Sequence, residues 1–153
     1  NARVEVFSKG GDLSKPTSAF EVGTIQPNNG KNVLALKNNK IYVCRGVAGI
    51  YCYDMNGTEQ WHYQMPNPIN EKGEYKAYAN GCYVGNDGLV YVAYGSYGLV
   101  ILDTNKIENG APKVVAQRNI GHSANYVTVY NDYIYVANGR SRLGVFHLIN
   151  YNK

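Results

Sequence analysis

The stretch Asp87-Gly88-Leu89-Val90-Tyr91-Val92-Ala93-Tyr94-Gly95-Ser96-Tyr97-Gly98-Leu99-Val100-Ile101-Leu102-Asp103 has two altered copies in the same chain. The earlier copy is Asn38-Asn39-Lys40-Ile41-Tyr42-Val43-Cys44-Arg45-Gly46-Val47-Ala48-Gly49-Ile50-Tyr51-Cys52-Tyr53-Asp54. The later one is Asn131-Asp132-Tyr133-Ile134-Tyr135-Val136-Ala137-Asn138-Gly139-Arg140-Ser141-Arg142-Leu143-Gly144-Val145-Phe146-His147. Tyr42 and Tyr91 stand 49 residues apart, and Tyr91 and Tyr135 stand 44 apart. Gly46, Gly95 and Gly139 keep register with them, as do Asp54 and Asp103, where the third copy has His147. Val4, Val6 and Phe7 match Ile50, Cys52 and Tyr53, so a fragment of a fourth copy opens the chain. A period of this size marks a fold built by stacking one supersecondary unit, and four-stranded propeller blades have this length.

Each copy reads as strands. Strand A is a short apolar run: Val33 to Leu36, Cys82 to Val84, Tyr126 to Val129. A polar turn follows at Asn38-Asn39, Asn86-Asp87-Gly88 and Asn131-Asp132, which is hairpin chemistry. Strand B carries the anchor tyrosine. A glycine-bearing loop leads to strand C: Ile50 to Tyr53, Leu99 to Leu102, Leu143 to Leu148. Strand D is more polar: Ala19 to Ile25, Glu59 to Gln64, Lys113 to Asn119. That polarity suits an outermost strand. The nearly continuous apolar runs of B and C imply cover on both faces, as when blades stack on one another. No segment keeps a 3.6-residue periodicity with caps, so helix content is expected to be very low. The fold class is all-β, with blades of four antiparallel strands, about three blades and an incomplete ring. Strands C and D of a preceding blade fall in 1–30. Full blades occupy 31–74 and 75–120, and strands A to C of a last blade lie in 121–153.

Composition agrees. The chain has 153 residues, of which 44% are hydrophobic and 17% charged, which argues against disorder. Tyr 15 and Gly 17 stand out, favouring strands and turns respectively. No apolar run reaches membrane-spanning length. The net charge of +4 is spread without clusters, so no nucleic-acid partner is expected. Cys44, Cys52 and Cys82 lack metal-binding spacing and read as small buried strand residues, with a Cys44–Cys52 hairpin bridge as the alternative. The start, Asn1-Ala2-Arg3-Val4, reads as a cut within a longer protein or as a processed product.

Gly98-Leu99-Val100-Ile101-Leu102-Asp103, following Val90-Tyr91-Val92-Ala93-Tyr94-Gly95, resembles an LVIVD repeat, and Asn131 to Gly139 is similar to the same pattern. Ile50 to Trp61, with Asp54, Gly57 and Trp61, resembles a quinoprotein-type (PQQ-like) propeller repeat. The resemblance covers most of residues 31–149. It implies a β-propeller that is exported in bacteria, to the periplasm or cell surface. Trp61 is the only tryptophan, so the recurring tryptophan of quinoproteins is missing and no cofactor is expected. About thirteen strands do not close a ring of 4–8 blades. Other blades or a second copy are therefore expected to close it.

In a propeller the D–A and B–C connections converge on one face around the channel, and loops carry binding. The D–A loops here are Pro27 to Asn32, Tyr75 to Asn80 and Gly121 to Asn125. The B–C loops carry Arg45, then Tyr94, Ser96 and Tyr97, then Arg140, Ser141 and Arg142. Tyrosines offer stacking surface with a polar tip, while Asn and Arg supply directional hydrogen bonds. The expected ligand-binding residues are Tyr75, Tyr78, Tyr97, His122, Asn125, Arg140 and Arg142. Their chemistry suits a carbohydrate, an anionic ligand or a peptide.

Catalytic and metal-binding residues are not expected. His62 and His147 fall on strands D and C, and His122 with Ser123 lacks a nucleophile-elbow pattern. Asp54 and Asp103 sit at equivalent repeat positions and read as turn formers. Asn56-Gly57-Thr58 matches a glycosylation sequon and reads equally well as a type I′ turn. Two further readings stand beside the binding module. One is a propeller hydrolase or oxidoreductase whose catalytic residues lie mainly on other blades. The other is a structural or assembly module that associates through its exposed blade ends.

Overall fold

The computed structural model describes residues 2–23, 32–140 and 142–147, with residues 2, 32 and 142 described by backbone alone. Among these residues thirteen strands form four antiparallel sheets. The first pairs β1 (Ala2–Val6) with β2 (Ser18–Gly23). The second runs β3 (Asn32–Lys37), β4 (Lys40–Arg45), β5 (Ile50–Asp54), β6 (Glu59–Tyr63). The third runs β7 (Gly81–Val84), β8 (Leu89–Ala93), β9 (Leu99–Glu108), β10 (Ala111–Arg118). The fourth runs β11 (Ala124–Tyr130), β12 (Tyr133–Asn138), β13 (Arg142–His147). No helix occurs among the described residues. The chain is all-β, with blade-like sheets in an open, partial propeller. The expected D–A loop at Pro27 to Asn32 lies largely outside the described residues, as do Ile25, Ser141 and Leu148.

The sheets stack because alternate side chains of one strand serve two cores. On β4, Ile41 and Val43 join Val4, Val22 and Tyr53 between the first and second sheets. Tyr42 and Cys44 face the other way. They join Ile50, Cys52, Trp61, Val90, Val92, Val100 and Leu102 between the second and third. On β8, Leu89, Tyr91 and Ala93 join Val127, Ile134 and Val136 between the third and fourth. Every residue of β8 is buried. Burial of each large apolar side chain favours the fold by about 1.5–3 kcal/mol. The three cysteines are free thiols in these interiors, so the hairpin bridge does not form.

The repeated glycines do two jobs. Gly46 and Gly95, both at φ 56°, exchange paired backbone hydrogen bonds with the next sheet. The Gly46 N–H donates to Ala79 O (3.1 Å) and Ala79 N–H to Gly46 O (2.9 Å). Gly95 and Ala124 repeat this at 3.2 and 2.8 Å. Gly139 N–H donates to Ser123 O at 2.8 Å. Gly49 and Gly98 instead let the fourth strand pass. A β-carbon there would stand 2.1 Å from Tyr63 O and 2.1 Å from Arg118 O. Asn38-Asn39 makes the expected two-residue hairpin with both residues left-handed (φ 50° and 56°).

Two expected turns differ. At Asn56-Gly57 only Gly57 is left-handed (φ 87°), so this is not a type I′ turn. The Asp54 carboxylate organises it by accepting the N–H groups of Asn56 (2.9 Å) and Thr58 (2.8 Å). In the third sheet the C–D hairpin comes later than expected. β9 runs on to Glu108, and Asn109-Gly110 (φ 52° and 79°) makes the turn. Asp103 therefore lies within the strand, 4% exposed, at an irregularity in the ladder. It accepts Asn105 N–H at 3.0 Å and pairs with Lys106 at 3.5 Å.

The last sheet is covered on one face only. Leu99 and Ile101 are 3% and 5% exposed, whereas their equivalents Leu143 and Val145 are 63% and 50% exposed. Tyr126, Tyr130 and Tyr133 are exposed as well. At the other end of the stack, Arg3 pairs with Glu5 at 3.2 Å on β1, and both are exposed.

Candidate functional site

The D–A and B–C connections share one end of the sheets, tied together by the Gly46–Ala79 and Gly95–Ala124 bridges. The framework beneath them is Tyr94, which is fully buried. Its hydroxyl accepts Met65 N–H (3.1 Å) and donates to Tyr63 O (3.5 Å). Burial pushes this phenol well above its ordinary pKa, so it stays a neutral donor and acceptor. Above it, the Lys76 backbone links two loops: Lys76 N–H donates to Pro68 O (2.8 Å), and Ser96 N–H to Lys76 O (3.2 Å). The Tyr97 hydroxyl donates to Asn67 O at 2.9 Å, which fixes the ring across the Asn67–Tyr75 connection.

Two hollows flank this pair. One, about 440 Å³, is lined by Lys76, Ser96, Tyr97, Asn119, Gly121, His122 and Ser123. The other, about 640 Å³, lies between Tyr97, Lys76 and the Asn67–Glu74 loop. Asn70 shapes that loop: its Oδ1 accepts Lys72 and Glu74 N–H (2.9 and 2.8 Å), and its Nδ2 donates to Glu74 Oε2 (2.8 Å). The first hollow joins an ammonium, an imidazole, an aromatic face, an amide and two hydroxyls, with no carboxylate in its lining.

Of the residues expected from sequence, Tyr97 and His122 come together in this hollow. Tyr75 (40% exposed) pairs its backbone with Ile69 at the side of the loop. Tyr78 is half-buried and packs against Gly95, where an added β-carbon would meet its backbone N at 3.1 Å. Asn125 is exposed and accepts the Ser123 hydroxyl at 3.2 Å. Arg140 is exposed and left-handed (φ 64°), beside Gly139. The side chain of Arg142 lies outside what is described. Arg45 is buried, with its guanidinium carbon 4.2 Å from the Tyr51 ring centre, so it serves the core and not the loop face.

Lys76 and Asn119 were not among the expected contacts. The alternation in Tyr75-Lys76-Ala77-Tyr78-Ala79 carries the signal for Lys76. Ala77 and Ala79 are buried at 1% and 0%, so the residue between Tyr75 and Ala77 faces the other way. Asn119 carries no such signal, because it follows a strand whose end the sequence does not mark.

A hollow of about 610 Å³ opens at the opposite, turn end, beside Lys40, Tyr42, Asp87, Asp103, Asn105 and Lys106. Its polar groups serve the turns. Asp87 Oδ1 accepts Leu89 N–H (3.1 Å), and Asn105 Nδ2 donates to Asp87 O (2.9 Å). The histidines on strands are likewise engaged: His62 contacts Glu59 (2.7 Å), and His147 stacks on Tyr133 (4.9 Å). Among the described residues no cluster of His, Cys, Asp and Glu is arranged to hold a metal. No helix there is long and apolar enough to cross a membrane.

No protein-family model matches the chain, and no curated protein matches it. Solved structures do. The computationally designed Ika4 protein aligns over 75% of this chain and 64% of its own, with TM-score 0.52 and 8% identity. The computationally designed Ika8 protein aligns over 75% and 32%, with TM-score 0.54 and 9% identity. BamB from Moraxella catarrhalis aligns over 75% and 32%, with TM-score 0.53 and 20% identity. The chain spans under two thirds of Ika4 and about a third of Ika8 and BamB. At these identities the likeness carries the fold alone, and that fold is a β-propeller, of which this chain forms a part.

Proposed function

We propose that the chain is a non-catalytic binding module: part of an exported bacterial β-propeller of the LVIVD-repeat or PQQ-like kind. The resemblance of Gly98–Asp103 and of Ile50–Trp61 to those repeats supports the family, and the likeness to BamB supports its propeller character. Further blades continue the stack, because equivalent positions are buried at Leu99 and Ile101 and open at Leu143 and Val145.

The observation that carries the binding role is the hollow of Lys76, Ser96, Tyr97, Asn119, His122 and Ser123. Ammonium and imidazole beside an aromatic face, with hydroxyl and amide groups and no carboxylate, suit a sugar-sized anion such as an acidic saccharide. We count Tyr75, Tyr78, Asn125 and Arg140 of the same loop end as further contacts, with Arg142 included by its backbone position at the start of β13. Titration with a glucuronate-containing disaccharide and its neutral glucose counterpart, followed by amide chemical shifts, tests this. Binding of the acidic probe with shifts centred on Ser96–Tyr97 and Gly121–Ser123, weakened at least about tenfold by Lys76→Gln with His122→Gln, is expected. Equal binding of both probes, or shifts confined to other loops, contradicts it. Turnover of a screened substrate abolished by His122→Gln would favour an enzyme.

A further inference from the structure

We propose that Cys44 and Cys82 form a modification site: a disulfide oxidant joins them, and the bond staples the second sheet to the third. Cys44 lies on β4 and Cys82 on β7, and both belong to the interior that the two sheets share. They are 0% and 4% exposed. Their thiols share a hydrogen bond across the junction. The pairing rests on this geometry, and the export proposed above supplies only the compartment where an oxidant is met.

The repeat shows why these two residues meet. Gly46 and Ala79 exchange backbone hydrogen bonds between the sheets, and Gly95 and Ala124 repeat them one junction later. Cys44 stands two residues before Gly46, and Cys82 three after Ala79. The same steps from Gly95 and Ala124 reach Ala93 and Val127. Both of these are 0% exposed, and they share the next interior. Each bridge thus brings the same two positions into one core. At the earlier junction both carry sulfur.

The third thiol does not compete. In the β4–β5 ladder Cys52 is opposite Tyr42, while Cys44 is opposite Ile50. Cys44 and Cys52 are therefore diagonal neighbours, whose α-carbons stand about 7–8 Å apart. A disulfide needs α-carbons within roughly 7 Å. β7 packs against β3 and β4, which sets β5 and Cys52 one strand further from Cys82. The Cys52 thiol hydrogen-bonds with the Tyr42 side chain instead.

The chemistry is thiol–disulfide exchange. The Cys82 thiolate attacks one sulfur of the oxidant RSSR, which forms a mixed disulfide and expels one RS⁻. The Cys44 thiolate then attacks the Cys82 sulfur, closes the Cys44–Cys82 bond and expels the second RS⁻. The two cysteine protons end on the two released thiols, and the electron pair lost by the cysteines passes to the oxidant. Exchange requires the thiolate. In the folded chain the hydrogen bond with Cys82, and then burial, hold the Cys44 thiol well above its ordinary pKa. Oxidation therefore belongs to the folding chain, before the second and third sheets close on one another. Once formed, the bond is shielded from reductant by the same interior. In a repeat stack each unit contacts only its neighbours, so a junction is where the stack opens. This bond holds one junction shut.

Refolding from urea into a redox buffer, with oxidised glutathione as the oxidant, tests this. The expected product is lighter by the two thiol hydrogens. Peptide mapping after alkylation should give a linked Cys44–Cys82 pair and an alkylated Cys52. The melting temperature should stand about 5–15 °C above that of the chain refolded with reductant. Cys44→Ala with Cys82→Val copies the next junction and should melt alike in both buffers. The mapping of the unaltered chain stands even if that variant misfolds. The chain folded under reductant and then given the same oxidant should keep all its thiols alkylatable. Three alkylatable thiols after oxidative refolding overturn the proposal, as does a bond that takes in Cys52. A Cys44–Cys82 bond that leaves the melting temperature unchanged overturns the staple. Oxidation of the folded chain as fast as that of the refolding chain overturns the protection by burial.

Discussion

Gly98→Ala tests the reason for the repeat glycine. The backbone at Gly98 is left-handed (φ 82°), and an added β-carbon would stand 2.1 Å from Arg118 O on the fourth strand. Gly110 has nearly the same φ, 79°, with nothing within 4 Å of the corresponding point. Both substitutions carry the conformational cost of a left-handed alanine, about 1–2 kcal/mol. Only Gly98→Ala must also push the end of β10 outward by roughly 1.3 Å or more to reach ordinary contact. Losing two ladder hydrogen bonds at that end adds about 1–3 kcal/mol. Gly98→Ala should therefore destabilise by about 2–5 kcal/mol and Gly110→Ala by about 1–2 kcal/mol. Urea unfolding, with the m-value checked for constancy, reads both. Equal losses in the two variants would refute the close approach of β10, and with it the reading of Gly49 and Gly98 as gaps for a passing strand.

Three further outcomes are expected. Trp61→Ala removes a ring that is 6% exposed and packs edge-on against Tyr42 at 5.8 Å. It should cost about 3–5 kcal/mol in urea unfolding, and a loss under 1 kcal/mol would place Trp61 outside the core. Tyr94→Phe leaves the Met65 N–H without its acceptor and should cost about 1–3 kcal/mol, while Tyr97→Phe on the surface should cost under 1 kcal/mol. The backbone N–H groups of Thr58 and Asn56 hold the Asp54 carboxyl below the ordinary aspartate value. Its stabilising contribution is present above about pH 4 and is lost as pH falls through the lower, folded-state value. Asp54→Ala should flatten the acid limb of a stability–pH curve in that window. An unchanged limb would mean that other carboxylates govern it.

The sequence made the architecture legible where strands are covered on both faces. β4, β5 and β8 were readable because Ile41 to Cys44 and Leu89 to Ala93 feed two cores at once, leaving no polar alternation to confuse them. The length of β9 was not readable, because Thr104 to Glu108 is polar and a bulge at Asp103 interrupts the pattern. Asn109-Gly110 was the available signal, since both residues must be left-handed in a two-residue hairpin.

The candidate site was legible as a set of loops and not as a constellation. Tyr97 and His122 meet because Gly95 and Ala124 bridge two sheets, a tertiary contact that no local pattern encodes. Arg45 looked like a loop cation and is buried over Tyr51 instead, because the loop turns back at Gly46 onto the next sheet. Lys76 was hidden among tyrosines until the burial of Ala77 and Ala79 set the alternation.

Blade-on-blade stacking, driven by the shared apolar interiors, brings four backbone hydrogen bonds into register across the sheets, Gly46 with Ala79 and Gly95 with Ala124, at 2.8–3.2 Å. Scalar couplings through these hydrogen bonds, from each amide nitrogen to the carbonyl carbon of the opposite sheet, report them directly. Couplings at both junctions, with slow exchange of all four amides, are the expected result. Protected strand amides alongside rapid exchange and no coupling at these four would show that the sheets form but do not stack as blades.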